Sequence, residues 1–282
     1  LIDIVAGNLR DTGKLAVLKI NSNWGAGTNP LTILSDDGST GNGIQSVSYG
    51  FTLYKRPSDG KMYAFDKPKS SNPIKQWLVD GSSGTIKTTL VRTIDDVSMG
   101  IAEGFVADDE LGFVYFTEEL KGIHKYNADP DATNKNRLLF FASGDGTASD
   151  REGISSYICN DGTGYLILSS QGNSQFKVYE RQGNNKFVKT FIANNAKGTD
   201  GLDSSSASLP PKFPSGFVVI HNDNNHDYYV YDWADIAQSD LKVCPDGGDT
   251  GSKVVKPAIS PNGGTFQTSI DVSLSTTTAG SI

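Results

Sequence analysis

Short runs in which apolar and polar positions alternate, broken by Gly, Asn and Asp, recur along the whole chain. Phe113-Val114-Tyr115-Phe116-Thr117, Gly164-Tyr165-Leu166-Ile167-Leu168 and Gln175-Phe176-Lys177-Val178-Tyr179 are rich in β-branched and aromatic residues and predict strands. Asn160-Asp161-Gly162 and Gln182-Gly183-Asn184 between them predict turns. The runs fall into units. Gly50, Gly104, Gly153 and Gly201 each follow a short polar or aromatic cue, at spacings of 54, 49 and 48 residues. Trp77, Tyr126, Tyr179 and Tyr231 mark a later point in each unit, at spacings of 49, 53 and 52. A period of ~50 residues with about four short strands per unit predicts the blades of an all-β propeller. Regular spacing argues against a β-sandwich.

Four units are complete, and a partial one spans Ile2 to about Leu34, with strands near 2–6 and 15–20. The expectation is therefore about four and a half blades. An open run would expose an edge strand at its start, so further blades are expected ahead of Leu1. The propeller pattern covers residues 1–238. Residues 239–256 read as a Gly/Asp-rich linker, and 257–282 as the start of a second small β module, from a Pro-Asn-Gly-Gly turn with alternating strand residues.

Net charge is −7 over 282 residues. Such a surface excludes nucleic acid as the expected partner, because phosphate backbones need a basic face. No window is long and apolar enough for a membrane helix, and no signal peptide lies within the chain. The two cysteines do not suggest a disulfide framework. Cys159 lies in the strand-like Ser-Tyr-Ile-Cys and Cys244 in the linker, and both read as unpaired thiols.

Candidate chemistry rests on acidic residues at equivalent blade positions. Glu103 and Glu152 directly precede a repeat glycine, as does Asp200. Equivalent positions in a propeller face one end of the channel, so these carboxylates converge. Two unit charges ~5 Å apart repel by roughly 3 kcal/mol at an effective dielectric of about 20, which calls for a cation. Glu119 closes the next strand of the Glu103 blade, and Asp150 lies two residues before Glu152 on the same side of an extended chain. Oxygen donors are calcium or magnesium chemistry. The three histidines, His124, His221 and His226, show no metal-ligand spacing, and Asp108, Asp109 and Glu110 read as a solvated turn. Arg10, Lys67 and Lys69 each follow a strand, and Tyr49 occupies in its unit the slot that Glu103 and Glu152 hold in theirs. Together they would suit a polyphosphorylated ligand.

Longer stretches carry a resemblance. VADDELGFVYFTEEL, REGISSY, GYLILSSQGNSQFKVYERQGNNKFV and TDGLD with PKFPSGFVV resemble the β-propeller phytases, in the same order and at similar spacing, from Leu1 to about Gln238. The resemblance implies a six-bladed propeller that hydrolyses phytate with the help of several calcium ions. It implies Glu103, Glu119, Asp150, Glu152 and Asp200 as acidic calcium ligands, with Glu103, Glu119, Glu152 and Asp200 at the catalytic centre. Arg10, Tyr49 and Lys69 would hold substrate phosphates, Lys69 being preferred to Lys67. It also implies a secreted protein, expected to be a monomer with phytate as its small-molecule substrate. The tail resembles the opening of modules at the C-terminus of chitobiase-type hydrolases.

The chain departs from the family pattern in three places. An N-terminal segment rich in Asp-Asp-Pro is absent, the loop before Asp200 is short, and His221–Asp227 (HNDNNHD) replaces a segment that helps hold structural calcium. Two other readings stay open: a propeller that binds calcium and phytate without catalysis, and a calcium-dependent propeller lactonase or esterase. The lactonase reading does not explain Arg10 or Lys69.

Overall fold

A computed structural model describes residues 3–21, 28–35, 43–45, 47–69, 73–96, 98–244, 258–260 and 273–275. They form an all-β propeller with five blades among the described residues, each an antiparallel meander. Blade I is β1 (Ile4–Leu9), β2 (Lys14–Ile20) and β3 (Leu31–Ser35). Blade II is β4 (Ser48–Lys55), β5 (Met62–Pro68), β6 (Ile74–Asp80) and β7 (Lys87–Ile94). Blade III is β8 (Ala102–Asp108), β9 (Phe113–Glu118), β10 (Gly122–Asn127) and β11 (Leu139–Phe141). Blade IV is β12 (Arg151–Ile158), β13 (Gly164–Ser170), β14 (Gln175–Glu180) and β15 (Phe187–Phe191). Blade V is β16 (Leu202–Ser205), β17 (Phe217–Asn222) and β18 (Asp227–Asp232), followed by the helical turn α1 (Trp233–Ala237). The partial unit expected at the start of the chain is a three-stranded blade of its own. Most of the tail lies outside the described residues; two short strands there, β19 (Ala258–Ser260) and β20 (Ser273–Ser275), pair with each other.

Gly50, Gly104 and Gly153 sit on the first strand of a blade and Gly201 directly before one, and the aromatic landmarks all sit on the third. First strands of successive blades lie side by side, β1 to β4, β4 to β8, β8 to β12 and β12 to β16. That closeness explains Gly50, Gly104 and Gly153, while a Cβ on Gly201 would meet nothing within 4 Å. A Cβ on Gly104 would come within 2.0 Å of the Glu152 carbonyl oxygen on the next blade, and one on Gly153 within 2.8 Å of the Asp200 carbonyl oxygen. Both are backbone atoms that cannot move aside, so neither position tolerates a side chain.

Hydrophobic cores lie between blades rather than within them. Along β9, Val114 and Phe116 pack with Tyr54, Phe65 and Phe105 towards blade II, whereas the intervening Tyr115 packs with Ile154, Leu166 and Tyr179 towards blade IV. Alternation thus serves two neighbours instead of core and water. Each fully buried Phe or Leu in these layers contributes roughly 1.5–3 kcal/mol relative to exposure.

Two expectations are corrected here. Cys159 and Cys244 are not free thiols but form a disulfide. The link closes a loop spanning a sequence separation of 85 residues, which by loop entropy stabilises the fold by about 4 kcal/mol. It pins residues 239–244, which the pattern assigned to a linker: Leu241 and Cys244 are buried in the core of blades IV and V, beside Trp233 stacked on Tyr157. Nor is the Asp108–Glu110 turn merely solvated, for although Glu110 is exposed all three carboxylates have partners in the fold. Asp108 is buried, and both its oxygens accept from Arg181, from Nε and Nη2 at 2.6 Å each. Asp109 accepts from the Lys55 backbone N at 3.0 Å, and Glu110 from Arg181 Nη2 at 2.8 Å. These carboxylates join blade III to blades II and IV.

Candidate metal and phosphate site

The first strands of blades II, III and IV share one irregularity. Pairing with the second strand slips by one residue between Ser48 and Gly50, between Ala102 and Phe105, and between Arg151 and Ile154. Each slip is a β-bulge, with an extra residue on the inner strand that the ladder does not use. Tyr49, Glu103 and Glu152 lie at these bulges. The bulge frees them from alternation and brings successive blades to one place.

Contacts from the neighbouring blades hold this region. The Thr117 hydroxyl accepts from Gly104 N at 2.9 Å and donates to the Glu152 carbonyl oxygen at 2.9 Å. Ser169, at the matching place on β13, donates to the Thr199 carbonyl oxygen at 2.7 Å. Gly153 N donates to the Asp200 carbonyl oxygen at 2.6 Å. Glu119 follows β9, and its carbonyl oxygen accepts from Arg151 N at 3.1 Å and Arg151 Nη1 at 3.2 Å. Backbone carbonyls are thus committed across blade boundaries, while the carboxyl groups remain available.

Glu103, Glu119 and Glu152 each place a carboxylate oxygen within 4.8 Å of the others. Glu152 is only 6% exposed, and its Oε2 is buried with no hydrogen-bond partner among the described residues. Burial, the hydrogen bond with Glu103, and the charges of Glu103, Glu119 and Asp200 push its pKa up to about 9. Burial and Glu103 also raise that of Glu119. The shift comes from burial first and from the acidic neighbours second, so a cation placed among these groups would offset the charge they crowd together. The donor set is all oxygen, and the orphaned Oε2 gives the cation a ligand that the protein leaves unpaired. These residues fit a hard divalent ion such as calcium.

The basic candidates gather around Tyr49. The Arg10 guanidinium carbon lies 4.8 Å from the ring centroid and Lys69 Nζ 4.6 Å from it. Lys69 Nζ also donates to the Tyr49 hydroxyl at 3.2 Å. That hydroxyl is hydrogen-bonded to Glu103; burial first, and then Glu103, raise its pKa. Tyr49 therefore joins the acidic cluster to two exposed cations.

Asp150 and Asp200 stand apart from the three glutamates. Asp150 occupies a left-handed backbone conformation, φ 62°, and its carbonyl oxygen accepts from Gln171 N at 2.9 Å; its charge acts on Glu119. Asp200 is exposed, accepts a hydrogen bond from Gln171 Nε2, and lies with His221 and Asp223 in a second cluster. Gln171 was not among the candidate residues, and His221 and Asp223 were read only as a histidine without ligand spacing and as part of the 221–227 loop; their neighbours in space lie on other strands, and no local motif pairs them with Asp200. Lys67 is buried, and its Nζ donates to the Pro68 carbonyl oxygen at 3.1 Å. Burial lowers its pKa, while Glu118 and Glu119 act to raise it. A groove of about 590 Å³ between β15 and α1 lies away from these groups and holds an internal pair, Lys189 Nζ to Asp240 Oδ2 at 3.0 Å.

The described residues contain no helix long and apolar enough to cross a membrane. Two solved structures resemble the chain in fold alone. A protein from Lactobacillus plantarum matches with a TM-score of 0.53 at 17% identity, over 87% of this chain and 70% of that one. A chain of a humanised mutant of the Chaetomium thermophilum Polycomb Repressive Complex 2 matches with a TM-score of 0.52 at 10% identity, over 87% and 52%. The 3-phytase of Bacillus subtilis (strain 168) is 35% identical over 253 residues, covering 84% of this chain and 65% of that protein. The chain thus spans just under two thirds of the length of that relative. The phytase family model matches residues 1–244, five blades and the segment that the disulfide pins to them, and the chain belongs to that family.

Proposed function

We propose that the chain binds calcium through Glu103, Glu119 and Glu152, with Asp150 and Asp200 as outer acidic groups, and hydrolyses phosphate monoesters of phytate. The observation that supports this most directly is the juxtaposition at Tyr49. One hydroxyl touches a carboxylate of the acidic cluster and a lysine that is free to meet a phosphate, with a guanidinium over the same ring. Family membership supplies the substrate class, and the Bacillus subtilis relative is a 3-phytase.

Bound calcium would supply charge neutralisation on a phosphate and a more acidic water molecule. The residues of the chain do the rest. Glu103, Glu119 and Glu152 orient their oxygens because bulges and inter-blade hydrogen bonds fix the backbone beneath them. Arg10 and Lys69 bind a phosphate and hold the ester in place, so that orientation is settled before reaction. Planar Arg10 offers paired donors to phosphate oxygens, and Lys69 adds a point charge. The net charge of −7 repels a polyanion, so these two cations set where a phosphate can approach.

The disulfide supports an oxidising, extracellular setting. The test is phosphate release from phytate by the chain with calcium and then with a chelator. Release that needs calcium supports the reading. Retention of phytate without release would overturn it in favour of a binding protein.

A further inference from the structure

Blade II departs from a pattern that blades III and IV keep. The residue after each repeat glycine pairs with the second strand: Phe105 opposite Phe116, Ile154 opposite Leu168, and Phe51 opposite Asp66. Phe116 and Leu168 are fully buried core residues, and Asp66 is buried as completely. A carboxylate in a slot that takes phenylalanine or leucine elsewhere destabilises the fold unless donors meet it. Trp77 Nε1, on the third strand, donates to Asp66 Oδ1. Burial pushes the Asp66 pKa up to about 6, and Trp77, Ser48 and Gln45 act against that rise. Its Oδ2 takes no hydrogen bond of ordinary geometry among the described residues, so it is open to the Ser48 hydroxyl.

Three segments meet at this carboxylate, and each carries a residue of the phosphate site. Ser48, also fully buried, directly precedes Tyr49 where β4 slips out of register with β5. Its hydroxyl accepts from Asn8 Nδ2 at 2.9 Å, and Asn8 lies two residues before Arg10. Asp66 lies three residues before Lys69. Gln45 Nε2 donates to the Asp66 and Pro73 carbonyl oxygens at 3.1 Å each, one on either side of Lys69 in the chain. The slip takes Tyr49 out of the ladder, so strand pairing alone does not hold it between Arg10 and Lys69. A Ser48 hydroxyl that donates to Asp66 turns its lone pairs to Asn8 and ties β1, β4 and β5 together.

We propose that Asp66 is a positioning residue of the phosphate site, fixing the Ser48 hydroxyl so that Arg10, Tyr49 and Lys69 stand together before a phosphate arrives. The proposal rests on the reading of Arg10 and Lys69 as phosphate ligands. Asp66 is fully buried and meets no substrate; it acts through Ser48 on β4 and through its own strand, which leads into Lys69. Arg10 and Lys69 are long, flexible side chains, and ordering them only on binding would weaken affinity. A buried carboxylate beneath them sets the backbones from which they reach Tyr49, so less is left to order when the phosphate binds.

The test is steady-state hydrolysis of phytate in saturating calcium, with KM and kcat read separately. Asp66→Ala and Ser48→Ala should each raise KM by roughly 5–10-fold, the loss of one or two hydrogen bonds, with a smaller change in kcat. Coupling separates positioning from a merely structural role. In a background carrying both Arg10→Ala and Lys69→Ala, the same two substitutions should change KM less than about twofold, because the groups they place are gone. Should Asp66→Ala fail to fold, Ser48→Ala, which removes one hydroxyl, decides the matter. Arg10→Ala and Lys69→Ala alone check the phosphate reading: if neither raises KM, that reading fails and the proposal with it. If they raise KM while Asp66→Ala and Ser48→Ala do not, the phosphate reading stands and the positioning role is overturned. Effects of Asp66→Ala and Ser48→Ala that persist undiminished without Arg10 and Lys69 overturn it equally.

Discussion

Blade III carries acidic residues at both ends, and the two ends behave differently. At one end Asp108 has both oxygens bonded to a buried arginine, and Asp109 and Glu110 have donors of their own. At the other, Glu103 is grouped with Glu119 and Glu152, and one oxygen of Glu152 is buried without a partner. Residue type is the same at both ends, so acidity alone does not mark function. Compensation does: a carboxylate whose partner is already in the protein serves the fold, and one whose partner is missing waits for a ligand.

That contrast is easiest to break by removing one carboxylate from each end. Glu152→Ala is expected to lower phosphate release by about 10³-fold, equivalent to ~4 kcal/mol in barrier, and Asp109→Ala by only a few-fold. Equal losses would erase the distinction. Asp108→Ala should have the reverse profile. It leaves Arg181 buried with only Glu110 as carboxylate partner, and should cost about 3 kcal/mol in urea unfolding, with calcium affinity retained. Weakened calcium binding at unchanged stability would contradict the assignment.

Acid–base linkage sharpens the comparison. Glu152 holds its proton in the metal-free fold up to about pH 9, while an unfolded glutamate loses it near 4.3. Between those values the folded state binds more protons, so stability falls as pH rises. Melting of the calcium-free protein should therefore shift down by on the order of 10 °C from pH 5 to 9. Calcium or Glu152→Gln should flatten the trend, and a slope that persists in Glu152→Gln would place its source elsewhere. The smallest expected effect is at Tyr49. Tyr49→Phe removes hydrogen bonds to Glu103 and Lys69 but keeps the ring beneath Arg10. Its cost should be ~1 kcal/mol, read as a several-fold rise in KM for phytate; an unchanged KM would remove the hydroxyl from substrate binding.

The blades were legible because their signals are local and repeated. A glycine at the start of each full unit, which must lie against the next blade in blades II, III and IV, and an aromatic on the third strand recur along the chain. The acidic site was legible for the same reason, since Glu103 and Glu152 occupy equivalent slots. Arg10 was placed by resemblance, and its guanidinium carbon lies 4.8 Å from the Tyr49 ring centroid. What stayed hidden depends on distant partners. Arg181 is 73 residues from Asp108, and Cys244 is 85 from Cys159; neither spacing repeats, so nothing in the pattern pairs them. Asp200 looked equivalent to Glu152 in sequence. In space it is exposed and turns to His221, because its loop meets the β17–β18 turn.

The one-residue slip in β4, β8 and β12 has a consequence for how such a mouth can change. An extra residue that the ladder does not use can be exchanged without altering strand pairing on either side. Blade II spends that place on tyrosine and blades III and IV on glutamate, over the same backbone. The scaffold therefore treats this position as a replaceable letter, and the chemistry of the opening can be rewritten one blade at a time while the architecture around it stays constant.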